Sequence, residues 1–96
     1  MRSVSAKIVV EPRREGEYHV LVTEAGARTT HVVSVDDDYY RKLTDGRIPR
    51  EELVRRSFEF LLAREPKESI LGTFHLSVIA RYFPEYEHEM RRRFGS

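Results

Sequence analysis

Alternating apolar and polar positions fill the first third of the chain. The segments SAKIVVEP, EYHVLVTE and RTTHVVSV repeat with a period of two, which is typical of strands that turn one face to a core. The sides expected to face the core carry Ala6, Ile8 and Val10, then Tyr18, Val20 and Val22, then His31, Val33 and Val35. Turns around Gly16 and Gly26 separate the segments, so the pattern predicts a three-stranded antiparallel β-meander.

The spacing of apolar residues becomes helical after the third predicted strand. DDDYYRKLTDG begins with Asp36 as a candidate N-cap and ends near Gly46, and Pro49 suits the first position of the next helix. Pro66 is expected to end that helix, because proline disfavours helical geometry in the residue before it. PKESILG predicts a short helical turn, and LSVIARYF and PEYEHEMRRRF predict two more helices.

These elements predict an α+β fold in which three to four helices cover the meander. We expect one domain over residues 1–96, with the strands at about residues 4–35 and the helical half at about residues 36–94. The chain has no cysteine, and its length allows one core without a disulfide or a metal. No apolar run suits a membrane span or a signal peptide, so a cytoplasmic location is expected.

The segment from residue 51 to residue 62 has an unusually broad apolar face. On a helical wheel its charged side chains fill an arc of about 140°, and its apolar side chains with Ser57 fill about 200°. A surface helix needs an apolar stripe of only about 100° or slightly more. Either this helix packs on both the sheet and the later helices, or Leu53 and Phe60 contact a partner. The apolar residues available as cover within the chain are Ile70, Leu71, Phe74, Leu76, Val78, Ile79, Tyr82 and Phe83.

The last predicted helix offers a second candidate surface. Tyr86, Met90 and Phe94 follow at four-residue spacing and form an apolar stripe. If exposed, such a stripe of aromatic and methionine side chains suits the docking of another chain. The sequence therefore predicts a small non-catalytic protein–protein interaction or assembly module, with a second copy of this chain as one candidate partner. Its predicted partner-binding residues are Leu53, Phe60, Tyr86, Met90 and Phe94.

A nucleic-acid-associated regulator is the alternative function. The net charge is +1, with eight basic and eight acidic residues in positions 1–48 and nine and eight in positions 49–96. This balance gives no long-range attraction to phosphate, and the acidic first half of the last helix compensates its basic second half. A dimer similar to an antitoxin would double a weak basic patch. That patch would consist of Arg81, Arg91, Arg92 and Arg93.

The sequence contains no arrangement typical of a catalytic site, so we expect neither an enzyme nor a cofactor. It lacks a nucleophile elbow and a phosphate-binding glycine loop. A di-iron bundle requires two Glu-x-x-His motifs and two further glutamates, and only the motif Glu85-x-x-His88 is found here. The acidic run 36–38 suits helix capping better than a metal. His19 and His31 are expected to face each other across the meander. The chain is also short for a sizeable ligand pocket beside its core.

Three stretches resemble a known family. THVVSVDDDYYRKLTDG, LVRRSFEFLLAREPKESIL and LSVIARYFPEYE are similar to small bacterial proteins that join a β-meander to a helical half with the pattern SFEFLL-RE-P-SIL … YFPEY. The resemblance runs from about Lys7 to about Glu87 and implies bacterial origin, but that family has no assigned activity. His75 replaces an acidic residue of the pattern, so a cap is not expected there. In topology alone, the strands and first helix are similar to HicB-type antitoxins, without their glycine-rich and proline-rich segments.

Overall fold

Three strands at the start of the chain pair in sequence order. The computed structural model describes residues 6–95, and the predicted start of the strand region at residues 4–5 lies outside them. The strands are β1 (Lys7–Arg14), β2 (Glu17–Glu24) and β3 (Ala27–Ser34), and both pairings are antiparallel. The three strands that the alternating pattern predicts are therefore present.

Positive backbone angles form the two turns of this meander. Ala25 and Gly26 have φ values of 53° and 80°, which is the geometry of a two-residue type I′ hairpin between β2 and β3. Gly16 has a φ of 74°, and its carbonyl accepts a hydrogen bond of 2.9 Å from the Val35 amide. A Cβ at Gly16 would lie 3.3 Å from the Val35 carbonyl oxygen, so both the angle and the close approach favour glycine there.

One face of the sheet carries the core. Ile8 pairs with Val22 and Val20 pairs with His31, so these side chains share a face across three strands. The six positions of β2, of β3 and after β3 that the alternation predicts to face the core are buried. They are Tyr18, Val20, Val22, His31, Val33 and Val35.

A fourth strand extends the sheet and corrects the prediction of a three-stranded one. β4 (Thr73–His75) runs parallel to β3, with Val32 paired to Thr73 and the Val32 amide donating to the Gly72 carbonyl at 2.8 Å. The sheet order is β1-β2-β3-β4. Three residues are too few for a recognisable alternation, and their partner is distant in sequence. The local pattern therefore gave no signal for β4.

Within residues 6–95, four α-helices complete the fold. They are α1 (Asp37–Thr44), α2 (Arg50–Leu62), α3 (Ile79–Tyr82) and α4 (Tyr86–Phe94). Two 3-10 turns, Lys67–Ser69 and Leu76–Val78, precede β4 and α3 respectively. The broad class α+β is thus confirmed.

Local signals account for most helix ends. The Asp36 carboxylate accepts the Tyr39 amide at 2.7 Å and caps α1, as predicted. Pro49 occupies the cap position of α2 instead of its first turn. The expectation that His75 does not cap is wrong, because its Nδ1 accepts the Ser77 amide at 3.0 Å and caps the following 3-10 turn.

Candidate functional site

The predicted partner-binding residues lie mostly inside the chain. Leu53, Phe60, Tyr86 and Met90 have relative exposures of 7% or less, and Phe94 is partly buried against the same core. These four side chains therefore do not form an exposed partner surface. This corrects the partner alternative that the helical wheel left open for Leu53 and Phe60, and the one that four-residue spacing left open for Tyr86 and Met90. A partner surface on this protein has to be built from other residues.

The position of α2 between two layers explains its broad apolar face. On one side the Phe58 ring lies 5.3 Å from His31 of β3, measured between centroids. On the other side the Phe60 ring lies 5.2 Å from Tyr86 of α4 and 6.0 Å from Phe83. The helix thus packs on both the sheet and the C-terminal helices, and the broad arc is covered within the molecule.

An open apolar groove lies between the end of α2, the segment before β4, and α3. Its cavity volume is about 330 Å³, which reaches the lower end of the range for ligand sites. We call it the Leu71 groove. Its principal lining residues are Leu61, Glu65, Leu71, Phe74, Ile79 and Tyr82. The sequence-based expectation that the chain is too short for a sizeable pocket is wrong.

Two exposed apolar side chains distinguish this groove. Leu71 is 46% exposed and Tyr82 is 66% exposed, and they are the exposed large hydrophobic residues of the described chain. The sequence predicts both as cover for α2, because apolar type and helical spacing do not separate a buried position from a rim position. Both line the groove instead.

Glu65 is the acidic residue of the Leu71 groove. It follows α2, and its amide donates to the Leu61 carbonyl at 2.9 Å, which fixes the chain before Pro66. The side chain is partly buried, and burial raises the pKa of its carboxyl above the ordinary range. Sequence reasoning did not single out Glu65, since only the fold places it beside apolar walls.

A second, more polar cavity lies near the β1–β2 turn. It has a volume of about 620 Å³ and is lined by charged residues such as Arg14, Asp37 and Arg50. Arg14 pairs with Glu17 at 3.2 Å, and Arg50 bonds to Asp37 and lies 4.4 Å from the Tyr40 ring centroid. Because these charges are already paired within the chain, this cavity is the weaker candidate for a ligand.

The outer face of the sheet is a third surface. Val9, Leu21 and Val32 are partly exposed there, and Val9 pairs with Leu21 across β1 and β2. Antiparallel sheets commonly leave one face to solvent, and scattered apolar side chains on such a face are ordinary. Substitutions on this face are therefore suitable controls for substitutions in the Leu71 groove.

The arginines of the nucleic-acid alternative are exposed but do not form one flat patch. Arg91 donates to the Lys42 carbonyl at 2.8 Å, and Arg92 pairs with Glu89 at 2.6 Å. Consecutive helical positions diverge by about 100°, so Arg93 points away from both neighbours, and Arg81 lies on a different helix. The alternative stays a prediction from the sequence.

The histidines do not form the cross-strand pair that the sequence suggested. The register pairs His19 with Val32 and His31 with Val20, which puts the two rings on opposite faces of the sheet. Among residues 6–95, no three histidine or carboxylate side chains cluster in a way that could hold a metal ion.

Comparison with known proteins does not assign this chain to a family. No protein family, curated protein or solved structure matches this chain. In the part of the chain that the structure describes, none of the helices has both the length and the apolar character for crossing a membrane.

Proposed function

We propose that this protein is a small, non-catalytic interaction module that binds another protein chain through the Leu71 groove. The observation that carries the proposal is that Leu71 and Tyr82, exposed by 46% and 66%, line the same cavity. Large apolar side chains around a concave surface are typical of the anchoring part of a protein interface. The proposal keeps the bacterial origin and cytoplasmic location that the sequence predicts.

The rest of the fold supports a binding role for this groove. The buried side-chain nitrogen and oxygen atoms of the described residues all have hydrogen-bond partners, and the broad face of α2 is covered. The core therefore does not need a second chain for its own completion. An interaction through Leu71 and Tyr82 would join chains that are already folded. Interfaces of this kind form and dissociate readily.

Selection of binding peptides tests this function directly. A displayed library of random short peptides is selected on the wild-type protein and on a Leu71→Ser/Tyr82→Ser variant. A Leu21→Ser variant on the outer sheet face is the matched control, because it removes a partly exposed apolar side chain elsewhere. We expect peptides that bind the wild type and the control with similar affinity, and the groove variant at least about tenfold more weakly.

Two results would overturn the proposal. One is that no peptide is enriched on the wild type over the groove variant, and the other is that enriched peptides ignore both groove substitutions. Size-exclusion chromatography with light scattering on the same proteins identifies the case in which the partner is a second copy. A dimer that the groove variant abolishes would assign the groove to self-association. Nucleic acid that co-elutes with untreated wild type would instead favour the regulator.

A further inference from the structure

We infer that the Leu71 groove recognises a protein segment in which a large apolar side chain stands next to a lysine or arginine. The apolar side chain would fill the cavity, and the cation would pair with the Glu65 carboxylate. This inference rests on the proposed function and names the chemistry of its partner.

Glu65 follows α2 and lines the Leu71 groove without an ionic partner of its own among the described residues. Within the described residues, no hydrogen bond or ion pair joins its side chain to another group. The paired glutamates of the helical half are Glu52, Glu59, Glu68, Glu85, Glu87 and Glu89. In the same part of the chain Asp38 and Glu51 also lack an ionic partner but are exposed, whereas Glu65 is partly buried beside the apolar walls of the groove.

The two cations nearest to Glu65 in the sequence are both engaged elsewhere. Arg64 pairs with Glu85 at 3.2 Å, donates to the Phe60 carbonyl at 3.0 Å, and lies 3.5 Å from the Phe60 ring centroid. Lys67 is buried and pairs with Glu68 at 2.6 Å. Because both side chains are held in these contacts, neither neutralises the Glu65 carboxylate.

The surroundings of Glu65 determine which ligand it favours. A carboxylate next to apolar side chains loses hydration without compensation, and a cation placed beside it recovers that cost. Partial exclusion of water by a bound segment would strengthen the pairing. A neutral ligand filling the same cavity would bury the carboxylate further and would bind less well.

A protein segment fits the groove better than an isolated apolar molecule. Leu71 and Tyr82 stand at the exposed rim, where they can contact residues on both sides of an anchoring side chain. The Glu65 charge then selects among apolar segments by their neighbouring residue. A basic residue is accepted, and an acidic residue is repelled.

Matched peptides test the inference. One synthetic peptide carries the apolar anchor with a neighbouring lysine, and its twin carries glutamine in place of the lysine. On the wild type we expect the lysine peptide to bind about tenfold more tightly than its twin, and the difference to shrink at high salt. On Glu65→Gln, which keeps the size of the side chain, the two peptides should bind equally.

The outcomes separate this inference from the proposed function. Peptide binding could depend on Leu71 and Tyr82 but be equally tight with lysine or with glutamine in the peptide. That result would support the proposed interaction module and overturn the role of Glu65. A lysine preference that persists in Glu65→Gln would overturn it as well. Circular dichroism of the variant checks that Glu65→Gln keeps the fold, and Glu65→Asp provides a second variant that retains the charge.

Discussion

The hydroxyls of Ser57 and Tyr86 lie 2.6 Å apart in the core, where both residues are fully buried. Ser57 also donates to the Leu53 carbonyl at 2.8 Å. Since a carbonyl can only accept, the single Ser57 proton is used there, and Tyr86 must donate to Ser57. This contact joins α2 to α4 and satisfies the one polar group on the otherwise apolar face of α2.

The direction of this hydrogen bond predicts unequal effects of removing its two partners. Ser57→Ala leaves a buried Tyr86 hydroxyl without a partner and should lower the free energy of unfolding by about 1–3 kcal/mol. Tyr86→Phe removes the donor but keeps the Ser57–Leu53 bond, and should cost about 0.5–1.5 kcal/mol. Urea unfolding of both variants and of the double variant measures this. A Tyr86→Phe variant less stable than Ser57→Ala would contradict the assigned direction.

Burial predicts a large loss of stability for a charge placed in the core and a small one for a charge placed at the groove. Phe60→Glu or Met90→Glu replaces a buried apolar side chain with a carboxylate and should destabilise the protein by about 3 kcal/mol or more. Leu71→Glu, at the exposed rim, should change stability by less than about 1 kcal/mol. Thermal unfolding followed by circular dichroism distinguishes them. A folded Phe60→Glu protein that had merely lost an assembly would restore Phe60 as an interface residue.

The β2–β3 hairpin predicts one stabilising and one destabilising substitution in neighbouring positions. Ala25 holds a positive φ that is unfavourable for alanine, whereas asparagine tolerates it and forms the preferred type I′ pair with Gly26. Ala25→Asn should raise the free energy of unfolding by about 0.5–1 kcal/mol. Gly26→Ala should lower it by about 1 kcal/mol, although its Cβ would meet no atom within 4 Å. Urea unfolding should therefore show changes of opposite sign for the two variants.

His31 predicts a loss of stability on acidification. Its Nδ1 lies 2.7 Å from the Leu71 carbonyl and must carry the proton, and its Nε2 accepts from the Thr29 hydroxyl at 2.9 Å. Burial lowers the pKa of His31 below its ordinary value of about 6.5, so the unfolded chain binds a proton more readily than the folded one. The contribution of His31 is therefore fully present above about pH 6.5 and is lost as the pH falls towards the lower folded pKa.

Unfolding free energies at about pH 7.5 and about pH 5 measure this dependence. His31→Phe should be less stable than wild type at the higher pH, since it leaves the Leu71 carbonyl without its donor, but its stability should change less between the two. His88→Gln, which alters an exposed histidine, is the control and should keep the wild-type slope. The same slope in His31→Phe would rule out His31 as the group responsible.

Local sequence signals were sufficient for most of the fold. The period of two placed Val20, Val22 and Val33 on the correct face, and Asp36 capped α1 as expected. These features depend on residues close together in the chain, where dihedral preferences and side-chain spacing act directly.

The site could not be predicted in the same way. The wheel identified Leu53 and Phe60 as apolar without showing that α2 has neighbours on both flanks. Apolar residue type alone could not separate these two from the exposed Leu71. Exposure depends on which elements pack together. The elements β4 and α3 pack on α2 only through contacts between residues that are far apart in the sequence. Glu65 likewise becomes unusual only when its neighbouring cations turn to Glu85 and Glu68.

The parallel pairing of β4 also bears on the order in which the protein assembles. The meander closes through short loops, whereas Thr73 reaches Val32 only across the whole of α1 and α2. Long loops cost more entropy to close, and contacts of this kind form late in folding. Phe74 of β4 is one wall of the Leu71 groove, so the groove should be completed last and should open first, with the fastest amide exchange in the sheet. A bound segment would then stabilise β4, the strand that forms last, and would slow its amide exchange.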